Sequence, residues 1–293
     1  MLDVRRLMLL RDLARLGTIA AVAEAHTYTA SAVSQQLTAL QREAGVPLIE
    51  RAGRTVQLTA AGRVLAGHAE TVLAALEAAS ASVAAVQGSL RIGAFPSAVR
   101  TLLPAALVTL ADRHPGLDLT VHELDPAAMA VRLLDRSLDV ALMQSYDLLP
   151  LTPEAGLSTV DLLAETVYLA GPPARAGELS LADCAERVWI AGSPGTLCHS
   201  VTLQACHLAG YAPRIRHHVD DFTAVLALVA AGRGVALVPS LGVVPTPGVT
   251  LTPLPLQRRT HVAFRSGSGG HPAVAACVSA LRDAAPADSL RVV

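Results

Sequence analysis

Residues 28–51 read YTASAVSQQLTALQREAGVPLIER, and the order of polar and apolar residues here decides the fold of the first third of the chain. Val33, Leu37, Leu40 and Ala44 recur at the alternating spacing of one α-helical face. Thr29 or Ser31 caps the start, and Gly45 ends the helix. With that face turned inward, Ser31, Ser34, Gln35 and Thr38 fall on other faces near the helix N-terminus. Hydroxyl and amide side chains are mediocre helix formers, so their clustering asks for another reason.

Upstream, leucines 2, 7, 9, 10, 13 and 16 mark a helix over residues 3–16 that stops at Gly17. Thr18 caps a short second helix, Ile19 to about His26, and HTYT breaks the pattern before the helix of the opening stretch. Helix, short helix, tight turn, helix is helix-turn-helix grammar. In that motif the front of the last helix enters the major groove, where Gln pairs with adenine and Ser bonds a base or a phosphate. Downstream, VPLIERAGRTVQLTAAG holds two extended pieces around Arg51 and Arg54, the outline of a wing whose guanidiniums reach phosphate or the minor groove.

From Thr59, read as the N-cap, a long helix is expected from Ala60 to about Gln87. Leu65, Ala69, Val72, Leu76, Ala79, Val83 and Val86 form a heptad seam along it, as in a coiled-coil linker. The pattern then changes. LRIGAF, LDLTVHE and DVALMQ read as strands separated by helices at 98–114 and 126–137. ETVYLAGP, VWIAG, RIRHHVD, GVALVP and RRTHVAFR read as further strands, with helices at about 196–209, 221–232 and 271–285. Such alternation implies a parallel sheet with crossover helices, arranged as two α/β lobes.

The bulk numbers set limits. The 293 residues suffice for one large domain or two ordinary ones, and 52% are hydrophobic. The 23 basic residues, all arginine, face 24 acidic ones for a net charge of −1, so any basic surface is local. The N-terminus MLDVRRLMLLRDLARLG carries charges every few residues, which fits neither a signal peptide nor a membrane span. A cytoplasmic protein without membrane contact is expected. Cysteines 184, 198, 206 and 277 form no CxxC pair, and no metal site or cofactor is expected. An enzyme would show a nucleophile elbow, a phosphate-binding glycine loop or paired carboxylates. None is evident, AGRGVAL lacks the third glycine of a dinucleotide fingerprint, and no catalytic residues are assigned. A plain solute-binding protein has no use for residues 1–87 and normally carries an export signal.

SAVSQQL, PLIER and LTAAG in the first third, and LRIGAF, HPGLDLTVHE, LDVAL and AGRGVALVP in the remainder, resemble the LysR-type family of bacterial transcriptional regulators over essentially the whole chain. The resemblance implies a winged helix-turn-helix at 1–59, a linker (dimerisation) helix at 60–88 and a periplasmic-binding-protein-like effector domain at 89–293. Lobe I would comprise about 89–162 and 264–293, and lobe II about 163–263. It further implies a homodimer or homotetramer, a double-stranded promoter DNA partner and a small-molecule effector. The DNA-binding positions would be Thr18, Thr29, Ala30, Ser31, Ser34, Gln35 and Thr38, with Arg51 and Arg54 in the wing. Three departures stand out: His26 for an apolar leucine, Ile49 for phenylalanine and Gln41 for glutamate.

The effector is expected between the lobes. Ser97 follows a strand at a helix N-terminus and Thr196 opens another helix, so exposed N–H groups favour an anionic ligand. By analogy with the family, Ala98, Gln144, Ser145, Ser193 and Phe222 complete the cleft. An alternative within the family is a redox switch through Cys198 and Cys206. Eight residues apart on one helix, their Cα atoms would lie roughly 12 Å from each other, beyond the ~7 Å that a disulfide tolerates.

Overall fold

The computed structural model describes residues 1–52, 55–82, 86–173 and 179–286. The chain divides into two units: Met1–Ala84 with Arg265–His271, and Ala85–Phe264 with Pro272–Val293.

The first unit begins with α1 (Val4–Leu16), α2 (Ile19–Ala25) and α3 (Ala30–Ala44). Asp3 caps α1, Thr18 caps α2 and Thr29 caps α3, each through a side-chain oxygen that accepts from a backbone N–H of the first turn. The choice between Thr29 and Ser31 is thus settled: Thr29 is the cap and Ser31 lies within the helix. Gly45 ends α3 at φ 72°, a left-handed conformation in which a side chain would be strained. Leu9, Leu10, Val22, Val33, Leu37 and Leu40 form the core among the three helices. Strands β1 (Ile49–Ala52) and β2 (Thr55–Leu58) pair antiparallel as the expected hairpin.

Helix α4 (Ala60–Ser82) is shorter than expected. Ala66 and Ala69 are buried against the helix-turn-helix core, with Leu65 packed beside them, so the upper part of the heptad seam is spent inside the unit. Val72 and Leu76, lower on the seam, are 40% and 45% exposed. Val83 lies outside the described residues. Val86 is not on the helix; it packs against the core of the second unit.

The second unit holds one six-stranded sheet in the order β4-β3-β5-β10-β6-β9 and a two-stranded parallel pair, β7-β8. In chain order come β3 (Gly88–Ala94), α5 (Pro96–Thr101), α6 (Leu103–Arg113), β4 (Leu117–Glu123), α7 (Pro126–Leu134), β5 (Val140–Tyr146) and β6 (Leu157–Gly171). There follow β7 (Val188–Ala191), α8 (Leu197–Leu208), β8 (Arg214–His218), α9 (Phe222–Ala230), β9 (Ala236–Pro239), β10 (Thr250–Arg265) and α10 (Pro272–Ala284). The single helix expected at 98–114 is two, because Pro104 has no N–H to donate and disfavours continuous helix before it. The sheet is mixed rather than parallel. β3 runs parallel to β4 and β5, whereas β10 runs antiparallel to β5, and β9 antiparallel to β6. The two long strands β6 and β10 run unbroken through residues 162–163 and 263–264, the expected boundaries between the lobes.

Candidate nucleic-acid interface and ligand cavity

The front of α3 is presented outward. Thr29, Ala30, Ser31 and Gln35 are exposed, and Ser34 and Thr38 are half-buried. Thr29 Oγ1 lies 3.0 Å from Ser31 Oγ and accepts from Ala32 N, which fixes the first turn. The Thr38 hydroxyl donates back to Ser34 O at 2.9 Å, so its proton is used within the helix and its oxygen stays available as an acceptor. Gln36, the second amide of the pair, accepts from Arg6 Nε at 2.9 Å and ties α3 to α1. Gln35 projects to solvent beside it. Exposed Thr18 caps α2, and exposed Arg51 lies on β1. Arg54 lies outside the described residues.

The departures from the family pattern have local explanations. Gln41 Oε1 accepts from both Leu48 N and Ile49 N, so the amide anchors the entry to the wing. His26 Nε2 lies 2.6 Å from Asp12 Oδ2 and links α2 to α1. Asp12 is buried, and burial alone would raise its pKa. The hydrogen bond from His26 and the charges of Arg11 and Arg15 outweigh burial and hold the carboxyl below its ordinary value. Ile49 packs at the edge of the same core.

In the second unit a cavity of about 240 Å³ opens between strand ends and helix starts. Ser97, Gln144, Thr196 and Phe222, all expected at the cleft, line it. Ala98 does not; it is fully buried in the core of the sheet. Ser193 caps the Asp220 carboxylate through its N–H and hydroxyl, at 2.8 and 2.6 Å, and stands behind the wall. Ser145 is on the other side of the sheet. Successive strand residues face opposite ways, and Gln144 takes the cavity side opposite Thr260, so Ser145 is turned away.

Sequence reasoning missed the most charged part of the cavity. Arg258 lies on β10 and is fully buried. Its Nε donates to Glu165 Oε1 at 2.6 Å, its Nη2 donates to Ser97 Oγ at 3.1 Å, and its guanidinium sits 4.9 Å from the Phe95 ring centroid. Burial opposes the charge of Arg258, and the neighbouring Glu165 carboxylate more than restores it. Glu165 Oε2 also accepts from Leu241 N at 2.6 Å. The available signal was the placement of Arg258 in RRTHVAFR. Arg258 shares its alternation with Leu256, Val262 and Phe264, and a charge on such an inward face marks a buried ion pair.

Cys198 also lines the cavity, 3.6 Å from Tyr146 Oη. Burial raises its pKa more than the tyrosine and Arg258 lower it. Cys206, two turns on along α8, is fully buried, and burial pushes its pKa up to about 11.

Ser145, His261 and Asp161 form a hydrogen-bonded chain across β5, β10 and β6. Ser145 Oγ lies 2.8 Å from His261 Nε2, and His261 Nδ1 lies 2.8 Å from Asp161 Oδ1. The groups and distances match those of a hydrolase triad. Ser145, however, is 4% exposed and lines neither the cavity described above nor the one beside His261 and Asp161. A carbonyl carbon has no approach to its oxygen from either. No group of three or more His, Cys, Asp or Glu among the described residues is placed to hold a metal ion, and no described helix is long and apolar enough to cross a membrane.

These features agree with known proteins. Residues 84–286 match the LysR substrate binding domain and residues 4–63 match the bacterial regulatory helix-turn-helix protein, lysR family. A "Probable hydrogen peroxide-inducible genes activator" of Streptomyces viridosporus is 32% identical over 295 residues, covering 93% of this chain and 94% of that one. The "HTH-type transcriptional regulator ShiR" of Corynebacterium glutamicum (strain R) is 32% identical over 253 residues, covering 82% and 84%. The crystal structure of CbnR, a LysR family transcriptional regulator, superposes with a TM-score of 0.52 at 25% identity, covering 96% of this chain and all of that one. With both family domains matched along nearly its whole length, and relatives of the same architecture on either measure, the chain belongs to the LysR family of transcriptional regulators.

Proposed function

We propose that this regulator reads promoter DNA with the exposed front of α3 and that a small molecule in the 240 Å³ cavity modulates that binding. The outward Gln35, flanked by Ser31 and the half-buried Ser34, carries the first half of this reading. A solvent-facing amide and hydroxyls on the first two turns of a helix, with no acidic residue in its first turn, suit base edges and phosphate. Ala30, being small, lets the duplex approach; Thr18, Thr29 and Thr38 offer oxygens, and Arg51 with Arg54 reaches the backbone. Glutamine-to-adenine pairing contributes about 1–3 kcal/mol. Gln35→Ala should therefore weaken operator binding about ten- to a hundredfold in a gel-shift assay, with the melting temperature unchanged. Unaltered affinity in a folded Gln35→Ala protein would remove α3 as the reading surface.

The functional division we propose is reader 1–59, linker 60–88 and sensor 89–293. The exposed Val72 and Leu76 give the linker helix an apolar stripe that a second copy of the chain would cover, the start of a homodimer or homotetramer. We assign no enzymatic activity and place the protein in the cytoplasm with its DNA. Family members are transcription regulators rather than enzymes, and the triad-like chain Ser145–His261–Asp161 is closed to substrate.

A second reading is favoured by one observation: the Streptomyces viridosporus relative is described as a peroxide-inducible activator, and Cys198 and Cys206 share α8. Both thiols are held protonated by burial, which opposes peroxide chemistry at this pair. The metabolite-sensing reading therefore stands first.

A further inference from the structure

The cavity carries more chemistry than an anion site needs. Two buried polar atoms of its lining have no hydrogen-bond partner among the described residues: Arg258 Nη1 and Gln144 Oε1. Their residues are 0% and 6% exposed. One atom only donates and the other only accepts. Buried polar atoms are ordinarily paired, so two opposite orphans in one cavity describe a ligand that offers both an acceptor and a donor.

The formal charges point the same way. The Arg258 charge is already met by Glu165. The remaining charged groups of the lining are the carboxylates Glu123, Asp125 and Asp220, all on the exposed rim. The adjoining mouth adds Arg100 and Asp221. Arg100 is turned to Thr223 Oγ1 and Leu241 O, and Asp125 and Asp221 cap α7 and α9. Two guanidiniums thus face five carboxylates. A purely anionic ligand would be held at the floor and opposed at the rim. Of the two helix N-termini that suggested an anion, α5 has only 6 residues and no side-chain cap, so it adds little field.

We infer that the effector is a zwitterion of the amino-acid class. Its carboxylate turns inward to Arg258 Nη1 and Ser97, and its ammonium turns toward Gln144 Oε1 and the acidic rim. Its apolar body lies against Ile190, Phe222, Val225 and Leu237, which share the lining. This inference rests on the effector reading proposed above and narrows it to one chemical class.

The test uses the full-length protein, thermal-shift screening and calorimetric titration. The probes are the twenty proteinogenic L-amino acids and, in parallel, acetate, succinate, benzoate and citrate. For each amino acid that binds, its deaminated acid and its decarboxylated amine are titrated. The expected result is an amino acid whose affinity falls about tenfold or more on loss of either charged group. The same loss is expected in Gln144→Leu at the floor and in Glu123→Gln on the rim, whose exposed position leaves folding intact. A carboxylate without an ammonium that binds as tightly as any amino acid overturns the inference and leaves the effector reading standing. No shift from either panel also overturns it. The effector reading is then judged separately, by whether the small-molecule fraction of a cell extract alters operator binding.

Discussion

Treatment of the protein with micromolar hydrogen peroxide is expected to leave Cys198 and Cys206 as thiols and DNA binding unchanged. Two magnitudes lead to this. The first is reactivity. With its pKa pushed up to about 11, Cys206 is ionised at pH 7 in about one molecule in ten thousand, against roughly three in a hundred for an ordinary thiol. That ratio is near 300-fold. A more basic thiolate is a better nucleophile, and over this range the gain offsets about tenfold. Cys206 is left roughly 30-fold slower than an unperturbed cysteine. Cys198 shifts in the same direction for the same reason.

The second magnitude is geometric. Both residues lie on the uninterrupted helix α8, and a rise of ~1.5 Å per residue separates their Cα atoms by roughly 12 Å. A bridge needs them within ~7 Å, so at least two turns of α8 would have to unwind. Those turns bury Val201, Thr202, Ala205 and Cys206, and exposing the valine alone costs about 1.5–3 kcal/mol. The assay is non-reducing peptide mapping after timed peroxide exposure, with a gel shift on the same samples. A Cys198–Cys206 disulfide formed within seconds at micromolar peroxide, with a DNA-binding change abolished by Cys206→Ser, would refute both steps.

Asp12→Asn should destabilise the first unit by about 1–3 kcal/mol at neutral pH, because it removes the charge that His26, Arg11 and Arg15 share. The folded carboxyl titrates below its ordinary 3.8, so the contribution is complete above that pH and is lost as the pH falls through the lower folded value. Urea titrations of both proteins should converge there; a constant gap would refute the linkage. Gly62→Ala should cost about 1–3 kcal/mol, since its Cβ would run into the Leu48 carbonyl where α4 meets the wing; an unchanged melting temperature would show that this approach is loose. A fluorophosphonate probe should not label Ser145 in the native protein, and labelling lost in His261→Ala would reopen the question of hydrolysis. Glu165→Gln should destabilise the second unit by about 3–5 kcal/mol by leaving Arg258 buried without its counter-charge; a loss below 1 kcal/mol would mean that Ser97 and the Phe95 ring suffice.

The first unit was legible because its signals are local. Caps, helical spacing and stop glycines lie within a few residues of what they specify, and Thr18, Thr29 and Gly45 do what their types favour. The linker seam was over-read because a heptad pattern does not say which partner covers it. Ala69 follows the repeat as Val72 and Leu76 do, yet α1 takes Ala69 and leaves the other two exposed. In the second unit the alternation of strands and helices was visible, but strand direction was not. The early halves of β6 and β10, LSTVDLLA and TLTPLPLQ, mix apolar residues with Ser, Thr, Asp and Pro and so did not announce two strands of 15 and 16 residues. Of the cleft residues, Ser97 and Thr196 were readable from their places at strand and helix ends. Ser145 could have been set aside on strand parity alone. Arg258 and Glu165 could not be joined from sequence, since they lie 93 positions apart and meet only when β6 and β10 are side by side.

That meeting point bears on how occupancy of the cavity could be felt elsewhere. Glu165 and Arg258 sit on the two longest strands of the second unit's sheet. The pair extends to Leu241 N beyond β9 and to Ser97 at the start of α5, so four segments converge on one ion pair. A ligand changes a conformational equilibrium only by interacting differently with the two states. Filling the apolar wall of the cavity would yield affinity in any arrangement that keeps the wall intact. Bonding Arg258 Nη1 is different, because the position of that atom is set by the other three contacts of the pair, and any shift of β6 against β10 moves it. Affinity from the wall and response through Arg258 are therefore separable quantities. A molecule that takes only the first is expected to occupy the site without changing DNA binding, and to compete with one that takes both.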